Sequence, residues 1–276
     1  MKLVMISKEL QKKSYYQYFN NPELEEISDQ EIKQLIGKPQ EAEGLSFKKR
    51  SILQNQDFED EPSGYYLLED GGILFSCTTE VPNLTGDMMD WWFLWHQFDA
   101  LRYALWNPED HKGIRIIPEN LKRFTNEKLP YNQRLWGTNS YPFESMNGED
   151  GGEEIEIKFV NPETVGYDNS KIGSTACQSI VVAPDLQEQG GHQVPIFMTE
   201  TLRQGPQGDN VWVARWWLGC GVAEDGSDVI IDLPNREKIA QKAAMLVVHS
   251  RKEMQHLNKV LPKLYSDYHE GALNHD

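Results

Sequence analysis

The sequence has 276 residues, a length at which a chain buries about three quarters of its unfolded surface and needs no disulfide or metal to hold a core. It carries 43 acidic and 27 basic side chains, a formal net charge of −16, which repels phosphate backbones and anionic lipid headgroups and argues against nucleic-acid and membrane-surface partners. Hydrophobic residues make up 39% and charged residues 25% of the chain, which is the composition of a folded globular protein and not of a disordered one.

Three cysteines, Cys77, Cys177 and Cys220, lie far apart and form no CxxC pair. Their odd number and wide spacing fit neither a zinc ribbon nor a disulfide framework, so we expect three buried thiols. The apolar run near the N-terminus spans only residues 3–6, too short for a signal-peptide core, and no stretch approaches the length of a membrane span. A reducing cytoplasm is therefore the expected location.

The first 70 residues are rich in polar and charged side chains and are predicted to form an N-terminal appendage. Ser28 and Glu31 form a capping box, which predicts a helix over residues 28–36, and a Gly-Lys-Pro sequence follows it. The segment holds too few large apolar residues to fold alone, so we expect it to pack on the main domain, residues 71–276, or on a second copy of the chain. A homodimer whose contact includes residues 1–70 is the prediction.

The main domain is predicted to combine helices with antiparallel strands. Two aromatic-rich helices are expected at residues 85–95 and 98–106. Strands separated by turns rich in Gly, Pro and Asp are expected at residues 65–68, 73–79, 153–160, 178–183, 194–200 and 210–222. A last helix, capped by Asp232 or Asn235, is expected from residue 236 to at least residue 261, where Pro262 disturbs it. This order predicts an α+β fold, one form of which is a curved antiparallel sheet that grips the terminal helix around a cavity.

Two polar residues interrupt the apolar face of that last helix. At about 100° per residue, Glu253 falls about 20° from Leu246, inside the apolar stripe, and His249 falls about 60° away at its edge. A carboxylate buried among leucines is costly unless it is paired or bound to a metal. Because residues four apart converge on one point outside a helix, His249 and Glu253 are candidate ligands of a divalent cation. The alternative is a His–Glu hydrogen bond on the helix surface.

Further metal ligands must come from elsewhere in the chain, and three histidines are candidates. His96 ends an aromatic helix and is equally consistent with a core histidine, His111 lies in a predicted loop, and His192 follows two glycines at the start of a predicted strand. The remaining histidines, which are expected to be solvated, are His256, His269 and His275. The residues alone do not choose among the three candidates.

Four separated blocks of the sequence are distinctive. They are MDWWFLWH (residues 89–96), LRYALWNPEDH (101–111), RWWLG (215–219), and HSRKE with LPKLY (249–253 and 261–265). In this order they resemble the 2,4-diacetylphloroglucinol hydrolase and phloretin hydrolase family, zinc-dependent enzymes that cleave a carbon–carbon bond. The resemblance spans about residues 70–270, and the first 70 residues are similar to the family only loosely. A glycine-rich insert at residues 148–152 departs from the family pattern.

The resemblance implies a helix-grip (Bet v 1-like) domain with a zinc site of two histidines and two glutamates, and an N-terminal part used in dimerisation. Matched residue by residue, the histidine of the second block is His111, and the closing pair is His249 and Glu253. The family's other glutamate follows the first histidine by some thirty residues, a spacing that Glu144 fits best. Its rivals are Glu153, Glu154 and Glu156.

The resemblance also implies an activity and roles near the metal. A zinc-dependent hydrolase of this family cleaves the bond between an acyl group and a polyphenol ring, giving a carboxylic acid and the phenol. Its substrate is a small polyphenolic ketone, such as an acylphloroglucinol or a phloretin-like aryl ketone. Tyr103 matches a family tyrosine and is expected to hold a phenol oxygen, and His192 matches a mid-chain histidine expected to carry the proton.

Two points stay open from the sequence. Trp91 and Trp92 are candidates for the wall of the aromatic pocket, with core packing the alternative for at least one of them. The alternative function is a non-catalytic carrier of hydrophobic aromatic ligands in the same helix-grip cavity, in which the metal positions are incidental polar groups. Stoichiometric zinc separates the two functions, because a carrier does not need it.

Overall fold

The computed structural model describes residues 2–20, 22, 24–146, 148–189, 192–271 and 273. Its α-helices are α1 (Asp29–Ile36), α2 (Gly86–Trp95), α3 (Ala100–Ala104), α4 (Pro118–Phe124), α5 (Tyr131–Leu135), α6 (Arg236–Ala243) and α7 (Met245–Tyr268). Its strands are β1 (Gly64–Leu67), β2 (Ile73–Glu80), β3 (His111–Arg115), β4 (Thr138–Glu144), β5 (Glu153–Glu154), β6 (Ile157–Phe159), β7 (Ser179–Gln189), β8 (His192–Gln204), β9 (Asn210–Leu218), β10 (Cys220–Val222) and β11 (Asp228–Ile230). Short 3-10 helices lie at Leu10–Lys12, Ser14–Tyr18, Phe47–Gln54, His96–Phe98, Pro162–Val165 and Asn169–Lys171.

An antiparallel sheet forms the centre of the molecule. Its five strands lie in the order β1, β2, β9, β8, β7, and a second sheet contains β3 and β4, with β5 and β6 paired to β4. The Val160 amide, directly after β6, donates a hydrogen bond to the Val182 carbonyl of β7 at 3.1 Å, which joins the two sheets. Helix α7 packs against β2, and a cavity lies between the sheets and this helix. The predicted α+β architecture, with an antiparallel sheet and a long terminal helix, is confirmed.

Successive residues of the central strands face opposite sides of the sheet. On β8, Ile196 and Met198 line the cavity, whereas Phe197 between them packs in a second apolar cluster on the other face. On β9, Trp216 lines the cavity, and Trp217 packs against Phe197. This alternation is the period of two of a pleated strand, and it decides which side chains reach the cavity.

Several predicted elements have different bounds in the structure. The strand expected at residues 153–160 is two short strands, β5 and β6. The strand expected at residues 210–222 breaks at Gly219, which has a φ of +83°, a conformation that favours glycine. The last helix is interrupted at Ala244 and then continues past Pro262 to Tyr268. Proline leaves the carbonyl four residues earlier without its helical partner, and this carbonyl, of Asn258, accepts a hydrogen bond from the Asn83 side chain at 3.4 Å.

The second half of the aromatic helix α2 is buried from Trp91 to Trp95. The side chain of Thr85 caps α2 by accepting a hydrogen bond from the Met88 amide at 3.4 Å. Trp91 stacks on Trp95 with ring centroids 5.1 Å apart, and Trp92 meets Trp106 edge-on at 6.2 Å. A helical segment that is apolar on every side belongs in a core, and Trp91–Trp95 lie in the larger hydrophobic cluster of the molecule.

The N-terminal segment packs into the same core. The ring of Tyr15 meets Trp95 edge-on at 5.2 Å, and its hydroxyl donates to Asp99. The predicted cap of α1 is confirmed, because the Ser28 hydroxyl accepts a hydrogen bond from the Glu31 amide at 3.2 Å. Strand β1, which precedes residue 71, is an edge strand of the central sheet. The division at residue 70 and the homodimer stay predictions; light scattering on the full chain checks the second.

The three cysteines are buried and free, as expected from the sequence. Among the described helices, none combines the length and the apolar character needed to cross a membrane.

Candidate metal centre

Two neighbouring strands bring the first two candidate ligands together. His111 begins β3, Glu144 ends β4, and the two residues are direct partners in the antiparallel register. His111 Nε2 lies 3.4 Å from Glu144 Oε2. The register shifts immediately after His111, an irregularity of the kind that re-aims side chains beside functional sites.

Helix α7 supplies the other two candidates. Glu253 Oε2 lies 3.3 Å from His111 Nε2 and 3.4 Å from His249 Nε2. His111, His249 and Glu253 are buried, and Glu144 is partly buried. The ligand atoms of His111, Glu144 and His249 lie within 4.8 Å of one another. The structure therefore gathers all four residues that the sequence resemblance names as metal ligands.

The second nitrogen of each imidazole is held by the protein. His111 Nδ1 donates to the Tyr103 carbonyl at 3.2 Å, and His249 Nδ1 lies 3.3 Å from Asp110 Oδ2. A proton on each Nδ1 leaves each Nε2 with a free lone pair, which is the usual arrangement of metal-binding histidines. Sequence reasoning missed Asp110 as an orienting residue, although its place beside His111 in the second block is a signal.

Hydrogen bonds hold Asp110 in its charged form. Burial disfavours the carboxylate, but hydrogen bonds from His249, the Gly148 amide at 2.6 Å and the Ser145 hydroxyl at 3.0 Å outweigh burial and hold its pKa at about 2. Burial also opposes the imidazolium of His249, but Asp110 and Glu253 raise its pKa well above the ordinary value. A permanent anion behind His249 thus stabilises positive charge in the cluster.

The donor set of the cluster fits a divalent cation. Burial disfavours the Glu253 carboxylate, but the neighbouring imidazoles of His111 and His249 nevertheless lower its pKa below the ordinary value. In the described parts of the chain, the ion pairs of Glu144 and Glu253 are with histidines, never with lysine or arginine. Three carboxylates beside two imidazoles leave negative charge to be balanced, and imidazole nitrogen with carboxylate oxygen is a donor set that zinc accepts.

The rival glutamates have partners other than the histidines or are exposed to solvent. Glu154 forms an exposed ion pair with Arg115 at 2.7 Å. Glu156 accepts a hydrogen bond from the Tyr141 hydroxyl at 2.7 Å. Glu153 pairs with Glu144 in the strand register and is exposed. Of the four glutamates, Glu144 is the one with an ion pair to His111.

A cavity of about 590 Å³ opens on the cluster, within the size range of small-molecule sites. Its aromatic walls are Phe75, Phe93, Trp106, Phe159 and Trp216. The predicted wall residues Trp91 and Trp92 are not among its lining residues, because α2 points both rings into the aromatic core. The alternative of core packing is therefore the one the structure supports, for both residues.

Tyr103 lines the cavity next to the cluster. Its hydroxyl donates to Glu144 Oε2 at 2.5 Å, and its ring stacks on His111 with centroids 4.0 Å apart and planes within 2°. Burial and the Glu144 carboxylate raise the pKa of Tyr103 well above its ordinary value, so the phenol keeps its proton. Its predicted contact with a substrate oxygen stays a prediction.

The other two candidate histidines differ in what the structure describes. The backbone of His192 begins β8 opposite Gln189, but the His192 side chain and the two preceding glycines lie outside the described residues, so its role stays a prediction. His96 is buried, and its Nδ1 donates to the Trp92 carbonyl at 2.8 Å while its Nε2 lies 2.7 Å from the Gln97 amide nitrogen. Burial lowers the pKa of His96 to about 3, so its ring is neutral. Both ring nitrogens already have partners within the protein.

Comparison with known proteins decides the family. The family model described as "DAPG hydrolase PhiG domain" matches residues 45–266. The chain belongs to the DAPG hydrolase family. The membership predicted from the four sequence blocks is confirmed.

Relatives of this DAPG hydrolase family member include named hydrolases. Phloretin hydrolase of Eubacterium ramulus is 32% identical over 269 residues, covering 96% of this chain and 93% of that protein. A 2,4-diacetylphloroglucinol hydrolase of Pseudomonas protegens is 26% identical over 226 residues, covering 78% of this chain and 71% of that protein.

The solved structures that resemble this family member have low TM-scores. Ginseng major latex-like protein 151 from Panax ginseng has a TM-score of 0.34 at 10% identity, with 67% of this chain and 98% of that one covered. A START superfamily protein from Mycobacterium smegmatis has a TM-score of 0.31 at 14% identity, with coverages of 70% and 97%. The helix-grip architecture of this chain is seen in its own strand order and long terminal helix.

Asp110→Asn is expected to weaken zinc binding in this DAPG hydrolase family member by about 10- to 100-fold, the usual cost of losing a carboxylate that orients a metal-binding histidine. The variant keeps the size of the side chain and removes the charge facing His249 Nδ1. Competition titration against a chromophoric chelator measures the affinity. Asp225→Asn, in an exposed turn, is the matched control, and an Asp110→Asn protein that binds zinc as tightly as this control contradicts the orienting role.

Proposed function

We propose that this chain hydrolyses the carbon–carbon bond between the acyl group and the ring of a polyphenolic aryl ketone, and that it uses zinc held by His111, Glu144, His249 and Glu253. The substrate class is an acylphloroglucinol or a phloretin-like ketone. The products are a carboxylic acid and the phenol. The observation that carries the proposal is the convergence of two imidazole nitrogens and two carboxylates beside a cavity of about 590 Å³ in a member of the DAPG hydrolase family.

The chain's own residues prepare this site for an aromatic substrate. Phe93, Trp106 and Trp216 line the cavity and exclude water from a planar ring packed between them. Asp110 and the Tyr103 carbonyl fix the two imidazoles with Nε2 directed at the carboxylates. Zinc bound there supplies Lewis-acid chemistry, which lowers the pKa of a water molecule toward about 7.

The overall reaction needs one proton at the ring. Hydrolysis places the OH of water on the acyl carbon and its hydrogen on the ring carbon that loses the acyl group. Phenolic hydroxyl groups make that carbon a tolerable leaving group, because the ring can react as its keto tautomer. The proposed proton carrier is His192, as the resemblance implies, and the Tyr103 hydroxyl is the proposed hydrogen-bond donor to a phenol oxygen.

His192→Ala is expected to keep the metal and to lower turnover by about 10²–10⁴-fold, the usual contribution of general acid–base catalysis. Elemental analysis measures the zinc, and hydrolysis of phloretin measures turnover. His269→Ala, at the end of α7 and outside the cavity lining, is the matched control. Turnover of His192→Ala at the rate of this control assigns the proton carrier to another residue.

The direct test of the proposed function uses the purified full-length chain. Phloretin and 2,4-diacetylphloroglucinol are each incubated with the protein, and the released carboxylic acid and phenol are quantified beside the zinc content. Removal of zinc with a chelator should abolish hydrolysis, and zinc addition should restore it. If the protein binds these compounds but contains no zinc and does not hydrolyse them, it is the non-catalytic carrier of the alternative function.

The proposed setting of this activity is a homodimer in the cytoplasm. The proposed cytoplasmic location is supported by three free buried cysteines, because free cysteines are typical of reducing compartments. Because the first 70 residues contribute Tyr15 and α1 to the core, a dimer contact would use their outer surface.

A further inference from the structure

Among the acidic residues that line the cavity outside the metal cluster, Glu200 is buried, and it was not singled out by the sequence. Glu200 lies near the middle of β8, paired with Val181 of β7 and Ala214 of β9. It is 3% exposed and lines the cavity on the same face as Ile196 and Met198. The period of two along β8 therefore directs Glu200 inward with its apolar neighbours.

The carboxyl group of Glu200 has no partner within the described residues. No hydrogen bond or ion pair reaches it there, whereas Glu144 and Glu253 both pair with histidines. Burying a polar group without a hydrogen bond is energetically unfavourable, because the group loses its hydration without compensation. An apolar side chain at this position would avoid that cost. The carboxyl group of Glu200 is therefore available to a partner that enters the cavity.

The surroundings of Glu200 restrict the chemistry of that partner. Burial, followed by the charges of Glu253 and Glu144, raises the pKa of Glu200 well above its ordinary value, which favours the protonated carboxyl, a group with one O–H donor and acceptor oxygens. A ring hydroxyl also both donates and accepts, and its aromatic ring suits the walls formed by Phe93 and Trp216. An alkyl group at this point would leave the carboxyl unpaired.

We propose that Glu200 recognises the substrate by hydrogen bonding to a hydroxyl group of its aromatic ring. This inference rests on the proposed function, since it assigns the polyphenol to the cavity beside the metal centre. It makes Glu200 the residue that distinguishes a free ring hydroxyl from its methyl ether. Sites built to bond a hydroxyl discriminate against analogues that lack it, because a buried polar group is then left unpaired.

The test compares Glu200→Leu, Glu200→Gln and the control Glu224→Gln, an exposed residue outside the cavity lining. Glu200→Leu should lower kcat/KM for phloretin by about 10- to 100-fold, the value of one buried hydrogen bond, whereas Glu200→Gln should retain most of it. Zinc content, measured by elemental analysis, should equal that of the wild type. A mono-methyl ether of the phloretin acyl-bearing ring should be a poor substrate for the wild type, and Glu200→Leu should no longer discriminate against it.

Three results overturn the assignment. Wild-type kcat/KM for phloretin in Glu200→Leu, an equal loss in Glu224→Gln, or loss of zinc from Glu200→Gln would each give Glu200 a different role. Calorimetry with phloroglucinol separates this inference from the proposed function. If the wild type does not hydrolyse phloretin, a Kd for phloroglucinol weakened about 10-fold or more by Glu200→Leu still supports recognition, and an unchanged Kd, or no binding to the wild type, overturns it.

Discussion

Glu253→Gln is expected to lose bound zinc and hydrolytic activity together. Glu253 Oε2 lies 3.3 and 3.4 Å from the Nε2 atoms of His111 and His249, so it is the carboxylate that both histidines share. Glutamine keeps the size and hydrogen-bonding capacity of the side chain and removes the charge that attracts the cation. Zinc per chain should fall from about one to below a tenth, and turnover of phloretin should fall with it, because a catalytic zinc site depends on each of its ligands.

The stability of Glu253→Gln separates a metal ligand from a structural partner. Melts in the presence of a chelator remove the contribution of bound zinc, which would otherwise stabilise the wild type alone. Under these conditions the free energy of unfolding should change by about 1 kcal/mol or less, since the amide still bonds to the histidines. Glu237→Gln, exposed on α6, is the control. A fully zinc-loaded and active Glu253→Gln protein would contradict the metal centre.

Arg215→Met is expected to have the largest effect on stability. Arg215 is fully buried on the face of β9 opposite the cavity, and it donates to Glu61 at 2.7 and 3.1 Å and to Asp60 at 2.7 Å. Burial disfavours the Glu61 carboxylate, but Arg215 lowers its pKa below the ordinary value. Removing the arginine leaves this buried carboxylate unpaired, which costs about 3–5 kcal/mol.

Thermal and urea unfolding measure this effect. A loss of this size corresponds to a fall in Tm of roughly 6–20 °C for a chain of this class. The double variant Arg215→Met with Glu61→Leu should recover most of the loss, because Asp60 keeps its ion pair with Arg203 at 3.3 Å and no buried charge is left alone. Arg115→Met breaks an exposed pair with Glu154 and should cost about 1 kcal/mol or less. Equal costs for Arg115→Met and Arg215→Met would contradict the buried network.

The fourth block of the sequence illustrates how local patterns encode part of this site. His249 and Glu253 share one face of α7 because they are four residues apart, a relation fixed by helix geometry alone. Their burial follows from the apolar residues on the same face. The cap at Ser28 and the aromatic helix α2 are local in the same sense, and both were predictable from their own few residues.

The RWWLG block on β9 was recognisable in the sequence, but the sequence did not show which of its side chains face the cavity. Trp216 faces the cavity, whereas Arg215 and Trp217 face the other side of the sheet. Alternation predicts that neighbours separate, but it does not say which face becomes the cavity wall. The same limit explains why Glu200 was not expected at the cavity. Trp91 and Trp92 lie on helix α2, and the sequence did not say which side of that helix faces the cavity.

The sequence by itself determined the family, the α+β class and the helical half of the metal centre, because spacing along one helix and motifs within one block are local properties. The tertiary structure decided the half of the candidate metal centre that is formed by strands β3 and β4. Glu144 meets His111 through the pairing of β3 and β4, while Glu154 and Glu156 are drawn to Arg115 and Tyr141. The placement of Asp110 behind His249 was also decided there. Contacts between residues far apart in the chain depend on strand register and on which surfaces are buried together, and no local pattern specifies these.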